Sequence, residues 1–144
     1  MIHPNVSVGP STIHGLGLFA REPIPAGAVV WSIGPADRAY TPDELEALDP
    51  AQRDALLRWL FWCAARQCYV LCGDMALFTN HGTEPNLRCN GDGTLLLAAR
   101  DIDAGEELTE DYREHANGPL PRFEWFHETN GHGAAPRLAA LAEG

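Results

Sequence analysis

Short apolar stretches separated by glycine and proline run through residues 6–34, as in VSVGP, GLGLFA and PIPAGAVVWSIG. Each stretch has the length of a strand, and the residues between them are typical of turns. The same character returns after Cys68, where CYVLCGD and ALFTNHG predict strands. In LRCNGDGTLLLAARDI, the polar residues 90–93 predict the turn of a β-hairpin. The pattern therefore predicts a mainly β domain.

A helical pattern interrupts the strands between residues 41 and 66. The stretch TPDE at 41–44 is a capping box with proline at the first helical position, and Asp49-Pro50 repeats the device. In AQRDALLRWLFWCAARQ, apolar residues recur at helical spacing, which predicts an amphipathic helix over 50–66. A further short helix is predicted in PRFEWFHET, near the C-terminus. The fold class is therefore α+β dominated by β, with a helical insertion at about 41–66.

Composition limits the function classes. The chain has 144 residues, which suits one domain, and its net charge of −10 disfavours direct nucleic-acid binding. An acidic surface attracts basic partners instead, and all ten cationic residues are arginine. The N-terminus lacks the pattern of a signal peptide, and no apolar run approaches the roughly 20 residues that span a bilayer. We expect an intracellular, cytoplasmic protein (nuclear in a eukaryote) that does not bind membranes.

The cysteines predict no metal site. Cys63, Cys68, Cys72 and Cys89 form no C-x-x-C pair and do not have a usual zinc-ligand spacing. Their even number leaves disulfides as an alternative, but nothing in the sequence indicates a secreted protein. We therefore expect buried, reduced thiols.

The stretch HGLGLFA at 14–20 contains G-x-G-x-x-A, the pattern of a dinucleotide-binding loop. Such a loop needs a helix directly after it, because the helix N-terminus binds the pyrophosphate. Here Pro23 and Pro25 follow, and they disrupt a helix interior. The only acidic residue near the position that would bind the ribose is Asp37, in a predicted loop. The context excludes the dinucleotide interpretation.

Three segments together resemble another family. IHGLGLFA, LFTNHGTEPN and AARDIDAGEELTEDY follow one another in the order and spacing typical of the SET domain of protein-lysine methyltransferases. The resemblance implies a SET fold of small twisted sheets with a C-terminal pseudoknot, over residues 1–112. It also implies S-adenosyl-L-methionine as the methyl donor and a lysine of a basic protein or peptide as the substrate. Residues 113–144 would then cover the channel.

The same resemblance assigns site residues. Tyr112 matches the catalytic tyrosine, and it would also lie at the cofactor. The other residues that the resemblance places at the cofactor are Gly15, Leu16, Gly17, Leu18, Asn80 and His81. The glycines would let the backbone approach the cofactor closely, since they lack a Cβ. The alternatives are a buried Asn–His pair that satisfies loop backbone, and a core tyrosine with a satisfied hydroxyl.

The sequence departs from the family at three positions. Leu77 stands where arginine is usual, Gly82 where serine is usual, and Glu110 where tyrosine or phenylalanine faces the lysine channel. Glu110 and Tyr69 are our candidates for the channel. A carboxylate at position 110 suits an incoming ammonium group or a different substrate group, so the number of methyl groups added stays open.

No cysteine follows Cys89, so the zinc cluster that closes some SET domains is absent from this sequence. We hypothesise that Trp125, with Phe123 and Phe126, covers the cofactor instead, by stacking on adenine or facing the cation. Packing of these aromatic side chains on the core is the alternative.

Two other functions stay open. The departures from the family pattern are compatible with a SET-like binding module that has weak or no catalysis. A small hydrolase that pairs His81 with Asp111 or Glu110 is a third interpretation, and it predicts no cofactor. A homodimer through the exposed part of the helical insertion is also compatible with the sequence.

Overall fold

The structure, a computed structural model, describes residues 1–115 and 117–120. Most of its regular elements are short strands. The strands are Val6–Pro10 (β1), Leu16–Ala20 (β2), Val29–Ser32 (β3), Arg38–Tyr40 (β4), Phe61–Cys63 (β5), Cys68–Leu71 (β6), Asn80–His81 (β7), Leu87–Cys89 (β8), Leu95–Ala98 (β9) and Glu107–Glu110 (β10). The helices are Pro42–Glu46 (α1) and Pro50–Leu57 (α2), with single 3₁₀ turns at Met75–Phe78 and Tyr112–His115. The predicted mainly β class is confirmed.

The strands form three small sheets, ordered β1-β2-β10-β7, β3-β9-β8 and β4-β6-β5. In the first sheet, β10 lies between β2, to which it is antiparallel, and β7, to which it is parallel. A later strand, β10, is thus inserted between two earlier strands. This insertion brings the three motif-bearing segments together at one place.

Two apolar clusters hold the sheets together. The first joins the sheets themselves through side chains such as Leu18, Val30 and Leu108, none of which is exposed to solvent. The second packs the helical insertion onto the β4-β6-β5 sheet. Its buried members are Leu45, Leu57, Leu60, Tyr69 and Leu120.

The helical insertion is shorter than predicted. Both caps form as expected: the Thr41 hydroxyl accepts from the Glu44 N–H at 3.2 Å, and Asp49 accepts from two N–H groups of the next turn. However, α2 ends at Leu57 rather than at residue 66. Residues 61–63 form β5, where Phe61 and Cys63 are buried and the residue between them is half-buried. The apolar stripe predicted that the helix continues through these residues. Pairing with β6 favours the alternation of a strand instead.

The stretch ALFTNHG also differs from expectation. It forms a 3₁₀ turn at Met75–Phe78, capped by the Asp74 carboxylate, and only Asn80–His81 is a strand. The predicted hairpin is confirmed, since β8 and β9 pair around a turn in which Gly91 and Gly93 have positive φ. The helix predicted in PRFEWFHET lies outside the described residues. Among the described helices, none has the length and apolar character needed to cross a membrane.

Candidate functional site

Asn80 lies where β7 runs beside β10, opposite Thr109, and it is 1% exposed. Its side-chain Nδ2 lies 3.0 Å from the Leu16 carbonyl oxygen, 3.2 Å from the His14 carbonyl oxygen and 2.8 Å from Glu107 Oε1. An amide group has two hydrogens to donate, so these acceptors inside the protein take up its donor capacity. Asn80 therefore connects the loop before β2 with β10. This agrees with the alternative in which a buried Asn–His pair satisfies loop backbone.

The two glycines of the loop are required for different reasons. Gly15 has φ +46°, in the left-handed region that favours glycine. At Gly17, an added Cβ would lie 2.1 Å from Glu107 Oε1 and 3.2 Å from Asn80 Nδ2. The sequence predicted close approach of a ligand at these glycines. At Gly17, the group that approaches is a carboxylate of the protein itself.

Leu16 and Leu18 differ in their surroundings. Leu18 is fully buried, and its backbone pairs with Val8 on one side and Leu108 on the other. Leu16 is 37% exposed at the start of β2. Of these two residues, Leu16 has the more accessible side chain. The cofactor contact expected from the backbone around Leu16–Leu18 stays a prediction.

A cavity of about 320 Å³ lies beside this junction. The loop before β2 supplies one wall, and the segment that follows β7 supplies the other. Its lining residues are Thr12, Ile13, His81, Gly82, Thr83, Glu84 and Thr109. Only His81 among them was predicted. The others adjoin the G-x-G and N-H motifs, and that adjacency is the signal that could have found them.

His81 and Tyr112 are in direct contact. The Tyr112 N–H donates to His81 Nδ1 at 3.2 Å, and the two ring centroids lie 5.3 Å apart. Because Nδ1 accepts a hydrogen bond, the neutral ring carries its proton on Nε2. Burial is the main effect on His81 and lowers its pKa, which keeps the ring neutral near pH 7. The Tyr112 hydroxyl, itself buried, donates to the Thr79 carbonyl oxygen.

The neighbouring carboxylates have separate roles. Glu110 is 5% exposed and lies opposite His81 at the end of β10. Asp111 forms an ion pair with Arg113 at 2.6 Å, and hydrogen bonding from this guanidinium lowers the pKa of the Asp111 carboxyl. Asp111 lies 3.9 Å from His81 Nδ1, which already accepts from a backbone N–H. The geometry does not favour Asp111 as the partner of His81 in the hydrolase interpretation.

Two predicted residues lie elsewhere. Tyr69 is fully buried in the second core cluster, packs against Trp62 at 4.9 Å and accepts a hydrogen bond from the Leu120 N–H at 2.9 Å. It is absent from the cavity lining. Trp125, with the aromatic residues on either side of it, lies outside the described residues. The channel role of Tyr69 and the covering role of Trp125 stay predictions.

Asn86 has a structural role that the sequence did not predict. Its side-chain Nδ2 donates to the Glu107 carbonyl oxygen at 2.8 Å, and its Oδ1 accepts from the Thr109 N–H at 2.9 Å. The side chain thus pairs with β10 as a strand backbone would. It fixes the strand that leads to Tyr112.

Comparison with known proteins agrees with this geometry. Residues 15–113 match the model of the SET domain. The chain belongs to the SET-domain family. The histone-lysine N-methyltransferase ATX2 of Arabidopsis thaliana is 32% identical to this SET domain over 117 residues, which are 75% of this chain but only 11% of that protein.

Solved structures share the fold of this SET domain. A humanized mutant of the Chaetomium thermophilum Polycomb Repressive Complex 2, bound to the inhibitor GSK126, matches with a TM-score of 0.58 and 26% identity. The match covers 80% of this chain and 15% of that chain. A Plasmodium falciparum protein described as a histone methyltransferase has a TM-score of 0.55 at 18% identity, over 77% of this chain and 95% of its own. The latter identity supports a shared fold alone.

One departure from the family pattern, Gly82, is explained locally. A Cβ on Gly82 would lie 2.8 Å from Thr109 Oγ1, so this backbone accepts glycine without a shift. Leu77 lies in the 3₁₀ turn before β7.

Among residues 1–115 and 117–120, no group of three or more His, Cys, Asp or Glu side chains is placed to hold a metal ion.

Proposed function

We propose that this SET domain transfers methyl groups from S-adenosyl-L-methionine to the side-chain amine of lysine in a protein substrate. The observation that carries the proposal is the meeting of three segments around one cavity: the loop before β2, the segment after β7, and β10 through Thr109. Tyr112 is not in the cavity lining, but it contacts His81, which is. The histone-lysine N-methyltransferase relative supports the substrate class.

The cavity lining suits this cofactor. Hydroxyl groups of Thr12 and Thr83, the carboxylate of Glu84 and backbone groups beside Gly82 are available to an adenosine and an amino-acid portion. Leu16 and the glycines supply the adjoining backbone. When bound, the cofactor supplies a methyl group on a positively charged sulfur. Asn80 acts indirectly, because its amide hydrogens bind the loop.

Tyr112 is the proposed catalytic residue. Its hydroxyl proton is directed at the Thr79 carbonyl, so toward other groups the phenolic oxygen acts as an acceptor. An acceptor at this point orients the substrate amine. It also stabilises a partial positive charge on the hydrogen atoms of the methyl group that is transferred. His81 holds the Tyr112 backbone through Nδ1 and thereby fixes the position of the ring.

The amine must be neutral to react, whereas the ordinary pKa of lysine is about 10.4. Desolvation beside a cationic sulfonium lowers that pKa, and the buried Glu110 carboxylate opposes the effect because it favours the ammonium form. We propose that Glu110 attracts the basic side chain, with the acidic surface as the longer-range attraction. The substrate is then a basic protein inside the cell.

Calorimetric titration with S-adenosyl-L-methionine, followed by transfer of a labelled methyl group to basic protein extracts, tests the proposal. We expect binding, and label on lysines of the extract. No label should reach side chains of the domain itself, which has no lysine. Absence of binding at millimolar cofactor refutes the proposal.

Tyr112→Phe is expected to lower methyl transfer by the folded domain by on the order of 10²-fold. It should also lower the melting temperature, because the buried Thr79 carbonyl loses the Tyr112 hydroxyl as a donor. A rate equal to that of the unmodified domain contradicts the catalytic role of Tyr112.

A binding module with weak or no catalysis is the second candidate, and the buried carboxylate of Glu110 is the observation that favours it. The module would bind a basic peptide or the cofactor without turnover, and Tyr112→Phe would change no rate.

A further inference from the structure

The carboxylate of Glu107 lies beneath the loop that forms one wall of the cavity. It accepts a hydrogen bond from the Ser11 hydroxyl, with oxygen–oxygen distances of 2.7 and 2.9 Å. The Asn80 Nδ2 lies 2.8 Å from Glu107 Oε1. Ser11 and Glu107 are 96 positions apart in the chain. The contact therefore joins the first part of the domain to β10.

The Ser11 hydroxyl in turn organises the loop. Its oxygen accepts from the N–H groups of Ile13, at 2.9 Å, and His14, at 3.2 Å. A hydroxyl has a single hydrogen, so donation to Glu107 leaves the lone pairs of Ser11 facing the loop backbone. The Ser11 N–H closes the loop by donating to the Gly15 carbonyl at 2.8 Å.

The loop that Ser11 organises is the one that lines the cavity. Thr12 and Ile13 form one wall, and residues 81–84 and Thr109 form the other. Asn80, which also contacts the Glu107 carboxylate, directly precedes His81 on β7. Glu107 thus contacts a side chain from each of the two segments that bound the cavity.

The preceding carboxylate has no part in this network. Glu106 forms an ion pair with Arg100 at 2.7 Å and accepts from the Asp103 N–H. Both contacts lie in the turn before β10. Glu106 and Glu107 are neighbours of equal charge and size, and only Glu107 contacts the loop, which makes Glu106 a matched control.

We propose that Glu107 is a positioning residue for the cofactor cavity: its carboxylate sets the direction of the Ser11 hydroxyl and thereby the conformation of residues 11–15. The identity of the ligand in this proposal rests on the proposed function. The effect of Glu107 on the order of the loop does not. Loss of the carboxylate charge weakens the hydrogen bond from the Ser11 hydroxyl, since hydrogen bonds to charged groups are stronger than neutral ones.

The experiment compares Glu107→Gln and Ser11→Ala with the control Glu106→Gln. Calorimetry measures binding of S-adenosyl-L-methionine, and NMR measures amide exchange of Ile13 and His14. We expect both test variants to bind about tenfold more weakly and to exchange these amides about tenfold faster. The control should match the unmodified domain in both measurements. The effects of the two changes on binding should combine to less than their sum in the double variant, because both changes act on the hydrogen bond between Ser11 and Glu107.

The two measurements separate the two proposals. If the unmodified domain does not bind the cofactor but the test variants exchange the loop amides faster, the proposed function fails and the positioning of the loop stands. If the unmodified domain binds the cofactor and the test variants bind equally well, Glu107 does not position the cavity. Unchanged amide exchange in Glu107→Gln also overturns the role, because Ser11→Ala by itself removes the acceptor of the Ile13 and His14 N–H groups. Glu107→Asp, whose shorter side chain withdraws the carboxylate from Ser11, provides the same measurement if Glu107→Gln does not fold.

Discussion

Replacement of Gly17 by alanine tests whether the second glycine of the G-x-G motif is required by the protein's own carboxylate. The added Cβ would lie 2.1 Å from Glu107 Oε1 and 2.8 Å from its Cδ. The φ of Gly17 is not positive, so its backbone accepts alanine. The carboxylate must therefore move, and it loses the hydrogen bonds from Ser11 and Asn80.

The magnitude follows from these two contacts. A hydrogen bond to a charged group contributes about 1.5–3 kcal/mol to stability. Hydration of the displaced carboxylate, which is half-buried, offsets part of the loss, as does the lower chain entropy of alanine in the unfolded state. We expect Gly17→Ala to lower the free energy of unfolding by about 2–4 kcal/mol, measured by urea denaturation.

Gly9→Ala is the matched control. Gly9 lies opposite Gly17 on β1, and a Cβ there would meet the Phe19 ring at an ordinary 3.5 Å. We expect a change within about 0.5 kcal/mol. The decisive comparison repeats Gly17→Ala in a Glu107→Ala background. There the loss in the free energy of unfolding should fall below about 1 kcal/mol, because the carboxylate that the added Cβ would meet is absent. Equal costs in the two backgrounds would refute the reasoning.

Two further predictions concern the residues that hold β10 and Tyr112. Asn86→Ala removes two hydrogen bonds to β10 and should cost about 2–4 kcal/mol in urea denaturation; a cost below about 1 kcal/mol contradicts the role of its side chain as a surrogate strand. Burial lowers the pKa of His81 in the folded state. The unfolded chain therefore binds a proton at His81 more readily than the folded domain does. The contribution of His81 to stability is complete above about pH 6.5 and is lost as the pH falls. Urea denaturation between about pH 5 and 8 should show this slope, and His81→Gln should flatten it; an identical slope in the variant contradicts the assignment.

The sequence by itself determined the elements whose signals are local. The capping box at 41–44, the Asp49 cap and the hairpin around residues 90–93 form as predicted, because each depends on residues only a few positions apart. The motifs also sufficed to identify the SET family, since their order and spacing are properties of the chain.

Local signals failed where tertiary pairing competes with them. The apolar stripe that predicts a helix to residue 66 is compatible with α2 and with β5, and pairing with Cys68–Leu71 decides between the two. The predicted strand in ALFTNHG begins within a 3₁₀ turn, Met75–Phe78, because Asp74 caps that turn, and only Asn80–His81 pairs with β10.

Only the tertiary structure decided how the site is held. The sequence places Asn80 and Gly17 in recognised motifs, but it does not reveal that the amide of Asn80 binds the loop or that Glu107 lies against Gly17. It also gives no sign that Ser11, 96 positions before Glu107, donates to that carboxylate. Hydrophobic periodicity reports which face of an element is buried, whereas hydrogen-bond partners depend on which elements meet. Here they meet because β10 is inserted between β2 and β7.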